Sequence, residues 1–84
     1  MTKDEIFTRA KNILIDKYDA EDDVLKHHNL ALDIDLDSLD RLEFLMDLEV
    51  EFSVIIEDDR AEQLVTVSDY VDEVNRLLIK KLKD

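Results

Sequence analysis

The sequence predicts an all-α fold: a small four-helix bundle with three longer helices, one short helix and a long first loop. Two observations carry this. The 84-residue chain contains no glycine and no proline, the residues that sandwiches and barrels place at their many turns. Its apolar residues, 45% of the total, recur at helical spacing over most of the chain. The length fits one domain, residues 1–84, with a small core and modest stability.

The first helix is predicted over about Lys3 to Tyr18. Thr2 and Glu5 have capping-box spacing, and Ile6, Ala10, Ile13 and Leu14 form one stripe with Phe7 beside it. A connection from Asp19 to Asp37 follows, long for so small a domain. Its apolar residues Val24, Leu25, Leu30, Leu32, Ile34 and Leu36 imply that it packs across the core. Ile34 and Leu36 also alternate with Asp33, Asp35 and Asp37, as in a strand, but no second strand is available to pair with them. The second helix is predicted over Ser38 to Phe52, with Asp37 as N-cap and Asp40 at the positive end of the dipole. A short third helix is expected over Asp58 to Gln63. The last begins near Val67 behind a Thr66/Asp69 capping pair and ends on Lys80, Lys81 and Lys83.

The second helix carries more apolar residues than a core of this size needs. At about 100° per residue from Leu39, the residues Phe44, Leu45, Leu48 and Phe52 occupy an arc of roughly 140° to 240°. Leu39, Leu42, Met46 and Val50 occupy the opposite arc, roughly 300° through 20°. Asp40, Glu43, Asp47 and Glu51 fill one gap and Glu49 lies in the other. Geometry leaves two readings open: a docking stripe rimmed by acids, or a face covered by a neighbouring helix or by the long connection. Arg41 falls inside the core arc, and its guanidinium is expected to snorkel outward.

The formal net charge is -12. Such a chain repels phosphate backbones and anionic membranes, so nucleic acid is excluded as a partner and basic patches are expected on the partners it has. With no cysteine there is no disulfide scaffold and no thiolate metal site. No apolar run is long enough to span a bilayer. The first residues lack the basic and apolar regions of a signal peptide, and the expectation is a soluble, cytoplasmic monomer.

Asp33, Asp35 and Asp37 fit the first ligand positions of a calcium loop, but Ser38 and Phe44 stand where its glycine and bidentate glutamate are required. No metal site is expected. His27 and His28 are adjacent in a loop, and nothing in the sequence supplies an oxyanion hole for a triad built from one of them and Ser38. No catalytic residue is assigned. Taken alone, Ser38 in Asp37-Ser38-Leu39-Asp40 is best read as a capping serine.

The residues around it change that reading. Asp37-Ser38-Leu39-Asp40, followed by Leu42-Glu43-Phe44-Leu45-Met46 and Leu48-Glu49-Val50-Glu51-Phe52, resembles the acyl carrier protein family. Val24, Leu30 and Ile34 upstream, and Ile56, Ala61, Thr66-Val67 and Tyr70-Val71 downstream, extend the resemblance over nearly the whole chain. It implies that Ser38 receives 4'-phosphopantetheine from coenzyme A through a phosphopantetheinyl transferase. The terminal thiol of that arm holds acyl groups for partner enzymes of fatty-acid, related lipid or polyketide biosynthesis. The protein is then a carrier and no enzyme. The resemblance assigns Leu39, Leu42 and Met46 as apolar partner contacts, and Asp37, Asp40, Glu43 and Glu49 as acidic contacts for basic docking patches.

The chain also departs from the family pattern. Asp35 stands where glycine is frequent, Leu36 where a small residue is usual, and Glu57 where proline is common. Arg41 places a cation on a helix that is usually acidic, and Val50 replaces a frequent acid. A specialised carrier, for a modified acyl chain or an aminoacyl or peptidyl group, fits these departures. The remaining alternatives are an unmodified interaction subunit of the same fold and an acidic calcium sensor.

Overall fold

The computed structural model describes residues 1–83. It contains four helices: α1 (Lys3–Tyr18), α2 (Ser38–Phe52), α3 (Asp58–Ala61) and α4 (Val67–Lys83). The all-α expectation holds. α1 packs chiefly on α4, and α2 packs on both.

Each long helix starts where the capping chemistry places it. The Thr2 hydroxyl accepts the Glu5 amide at 3.2 Å, and the Glu5 carboxylate accepts the Thr2 amide at 3.0 Å, a complete capping box. At α4 the same exchange links Thr66 and Asp69, at 3.1 and 3.0 Å. α1 and α2 both end on a residue in the left-handed region, Asp19 at φ 57° and Ser53 at φ 54°. Glycine usually fills this position because it has no Cβ to clash. The chain owns no glycine, so an aspartate and a serine carry the cost.

α1 contributes Ile6, Ala10 and Leu14 to the core. α2 contributes Phe44, Leu45, Leu48 and Phe52, and α4 contributes Val67, Tyr70, Val71 and Val74. Phe44 sits between two tyrosines, with its ring centroid 6.2 Å from Tyr18 and 5.4 Å from Tyr70.

The long connection is ordered by its backbone. The Leu30 amide donates to Val65 O at 3.1 Å, the Val67 amide to His28 O at 3.0 Å and the Ser68 amide to Lys26 O at 2.8 Å. A single antiparallel bridge, Asn29 to Thr66, marks this seam, and no strand forms from Ile34 and Leu36. Within the loop the Asn29 side chain accepts the amides of Ala31 and Leu32, and the Asp33 carboxylate accepts the Asn29 amide.

Two expectations are corrected. Not every apolar residue of the connection packs inward. Val24, Leu30 and Leu36 are buried and Ile34 is half-buried, but Leu25 and Leu32 are exposed. The seam with residues 65–68 fixes which side of the loop meets the core, and these two lie on the other. The third helix ends at Ala61, two residues early. It buries no residue and its N-cap, Glu57, makes no side-chain bond, so little sustains it beyond one turn.

The turn is anchored instead by charge. Glu73 of α4 is buried at 3% exposure. Its Oε1 accepts Arg60 Nη2 at 2.9 Å, and its Oε2 accepts Arg76 Nη2 at 2.7 Å. Arg76, and then Arg60, hold its carboxyl below the ordinary glutamate range against the opposing effect of burial.

Two predictions follow from these contacts. Ser53→Gly removes a Cβ from the left-handed region and raises stability by about 0.5–1 kcal/mol, a rise of several degrees in the thermal midpoint. Circular dichroism melts check this, and an unchanged or lower midpoint contradicts it. Glu73→Gln is expected to cost about 1–2 kcal/mol at neutral pH, discounted because both arginines are partly exposed. A carboxyl with a depressed folded pKa stabilises above its unfolded pKa, about 4.3, and loses that contribution as pH falls through the folded value. The stability gap between wild type and Glu73→Gln therefore stands in full at pH 6 and closes below about pH 4. Urea titrations over that range measure it.

Candidate functional site: the start and outer face of α2

α2 begins on Asp37, whose carboxylate accepts the Asp40 amide at 2.8 Å. Asp37 O accepts the Arg41 amide at 3.0 Å. The N-cap is thus Asp37, as its sequence position predicts. The capping role that a lone serine would fill is already taken. Ser38 is the first helical residue and is exposed. The amides of Ser38 and Leu39 have no helical acceptor, as at any helix start, and the dipole favours negative charge beside them. An exposed hydroxyl next to free amides suits a group that brings a phosphate to the serine.

The backbone before the site is turned by Asp35, at φ 66°. This is where the acyl carrier pattern frequently has glycine. The two departures at Asp35 and Leu36 keep the turn. Aspartate tolerates the left-handed region better than most residues, and Leu36 is buried at 5% exposure.

Behind Ser38 the helix has the two faces that the sequence predicts. Phe44, Leu45, Leu48 and Phe52 are all buried. On the opposite face Leu39 is 70% exposed, Leu42 55%, Met46 53% and Val50 82%. No part of the long connection covers this stripe. Ile55, just past the end of α2, is also exposed. Arg41 does turn outward from the core arc. It is half-buried, and its Nη1 donates to Leu36 O at 2.8 Å.

The acids near the stripe do not stand alike. Asp37 caps the helix and is exposed, and Asp40 is half-buried. Glu43 receives Lys17 Nζ at 3.0 Å, and the same Nζ meets Asp47 at 2.9 Å. Asp47 and then Glu43 hold the Lys17 ammonium above the ordinary lysine range. Tyr18 donates to Asp47 at 2.6 Å, and burial, then this bond, pushes its phenol up. Glu49 lies on the other side of the helix, where its Oε2 accepts the Ile56 amide at 2.8 Å. It ties the loop after α2 to the helix, a task that its spacing gave no sign of.

The other polar motifs serve the backbone. His28 Nδ1 accepts the Leu25 amide at 3.0 Å, and the His27 ring lies against it. Asp33 and Asp37 likewise accept amides. Among the described residues, no group of three or more His, Asp or Glu is arranged to hold a metal ion. No described helix is long and apolar enough to cross a membrane.

The sequence pattern of the phosphopantetheine attachment site family matches residues 9–74. The chain belongs to that family. The acyl carrier protein of Lactobacillus acidophilus is 39% identical to it over 72 residues, covering 84% of this chain and 90% of its own. That of a Picosynechococcus species is 44% identical over 68 residues, covering 80% and 84%. The crystal structure of the Thermotoga maritima acyl carrier protein aligns with a TM-score of 0.84 over 94% of this chain and 93% of its own. At 22% identity that last likeness speaks for the fold alone. The four-helix architecture around Ser38 is therefore the fold of acyl carrier proteins.

Proposed function

We propose that this chain is an acyl carrier whose 4'-phosphopantetheine is attached at Ser38 Oγ. The observation that carries the assignment to Ser38 is the division of labour at the start of α2. Asp37 does the capping, so the neighbouring hydroxyl is exposed and has no structural duty there. The amides of Ser38 and Leu39 would hold the phosphodiester, with the helix dipole favouring its charge. The thiol at the end of the arm supplies what a chain without cysteine lacks, a site for a thioester.

The outer face of α2 is read as the surface that transferase and acyl-processing enzymes recognise. Leu39, Leu42 and Met46 give the apolar contact. Asp37, Asp40 and Glu43 give the acidic rim toward basic docking patches, and Glu49 adds its charge from the far edge. The chain presents cargo and leaves the chemistry to its partners. It acts as a monomer in the cytoplasm, kept apart from its copies by a net charge of -12.

Incubation with coenzyme A and a broad-specificity phosphopantetheinyl transferase tests this reading by intact mass. One added phosphopantetheine is expected on the wild type and none on Ser38→Ala. No added mass, or mass that persists in Ser38→Ala, contradicts it. Leu42→Asp and Met46→Glu lie on an exposed face, so their melts should match the wild type while modification slows at least tenfold. An unchanged rate removes the docking assignment. The unmodified interaction subunit predicts the opposite pair of results, no arm and full partner binding by Ser38→Ala.

A further inference from the structure

Four arginines occur in the chain. Arg9 meets Glu51, and Arg60 and Arg76 both meet Glu73. Arg41 enters none of the ion pairs among the described residues. Among the described residues its one side-chain hydrogen bond runs from Nη1 to Leu36 O, out of five N–H donors. It is half-buried, and among the described residues no buried side-chain nitrogen lacks a partner, so its remaining donors are open to solvent and to a ligand. An unpaired, half-buried guanidinium is unexpected in a protein with 23 acids.

Arg41 also lines a groove. Its walls are Asn29, Ala31, Leu32, Leu64 and Val65, with the guanidinium as the cationic part. At about 220 Å³ the groove is smaller than a site for a free small molecule. It has the size for a segment of something already tethered. The tether point is close. Ser38 and Arg41 are three residues apart on α2, which puts them roughly 60° apart around the axis with Cβ atoms about 5–6 Å apart. Leu32 is 83% exposed at the rim and Val65 48% exposed, so the apolar wall faces solvent with none of the described residues covering it. The charged residues next to Ser38 in the sequence, apart from Arg41, are Asp35, Asp37 and Asp40, and all three repel an anion.

We propose that Arg41 and this groove form a subsite for an anionic group tethered to Ser38. The guanidinium pairs with the anion, and Leu32, Leu64 and Val65 receive the apolar atoms next to it. This rests on attachment at Ser38. Two sources share the chemistry: the phosphodiester that joins the arm to the serine, and a carboxylate on the carried acyl group. In either case the arm lies along the groove and does not swing freely, and Arg41 positions it.

The test uses the full chain in four forms: unmodified, and modified by the transferase with coenzyme A, butyryl-coenzyme A or succinyl-coenzyme A. Intact mass records whether the arm is present. Nuclear magnetic resonance then follows the Arg41 Nε–Hε signal and the methyl groups of Leu32, Leu64 and Val65. A shift of the Arg41 signal in all three modified forms, with contacts from the arm to those methyls, identifies the phosphodiester. A shift confined to the succinyl form identifies the acyl carboxylate. Arg41→Gln should abolish the methyl contacts, and Leu32→Asp, at an exposed position, should abolish them with Arg41 intact. An arm present by mass but silent at Arg41 and at all three methyls overturns the subsite alone. An unmodified Ser38 overturns the attachment and the subsite together.

Discussion

Phe44 and Leu48 are inserted between α1 and α4 with almost no exposed surface, and this insertion dictates which way every other residue of α2 faces. Burying both of these side chains is worth about 3–6 kcal/mol, a large share of what so small a domain has. No rotation of α2 that covers the Leu39, Leu42 and Met46 stripe is compatible with keeping it. The domain is too small to supply a second layer over that stripe. An exposed apolar face is therefore built into the fold, next to the serine that the family modifies.

Acidity has a structural as well as an electrostatic side here. Carboxylates do work that glycine, serine and asparagine do in other chains. Asp37 caps α2, Glu5 and Asp69 close capping boxes, Asp33 gathers the loop and Glu49 holds the segment after α2. Each accepts a backbone amide, which is favourable for a charged oxygen. The positive-φ positions fall to Asp19, Asp35 and Ser53 for the same reason, since no glycine is present. The result is a fold stabilised by local charge-to-amide bonds and opposed by long-range repulsion among the same charges.

Much of this was legible in residue spacing. The starts of α1, α2 and α4 followed from Thr2/Glu5, Asp37 and Thr66/Asp69, because a cap is a local interaction and needs no knowledge of the fold. The two faces of α2 followed from angular position alone, though spacing could not say which would be covered. What was missed depends on contacts between segments distant in sequence. Leu32 and Leu25 read as core because hydrophobicity does not reveal which side of a loop a seam with residues 65–68 turns inward. Spacing offered no sign that Glu73 is buried, because its burial requires Arg60, thirteen positions away. Arg41 drew notice as an intruder in the core arc, but its bond to Leu36 O and its groove appear only in three dimensions.

We infer that α2 holds the core with one face and recognises partners with the other, with Ser38 on the boundary. The most direct measurement is a map of chemical-shift changes across the isotope-labelled chain as an unlabelled phosphopantetheinyl transferase is added. The expected result is that the largest changes cluster on Leu39, Asp40, Leu42, Glu43 and Met46. Changes centred on the exposed residues of α1 and α4, with the outer face of α2 undisturbed, would contradict it.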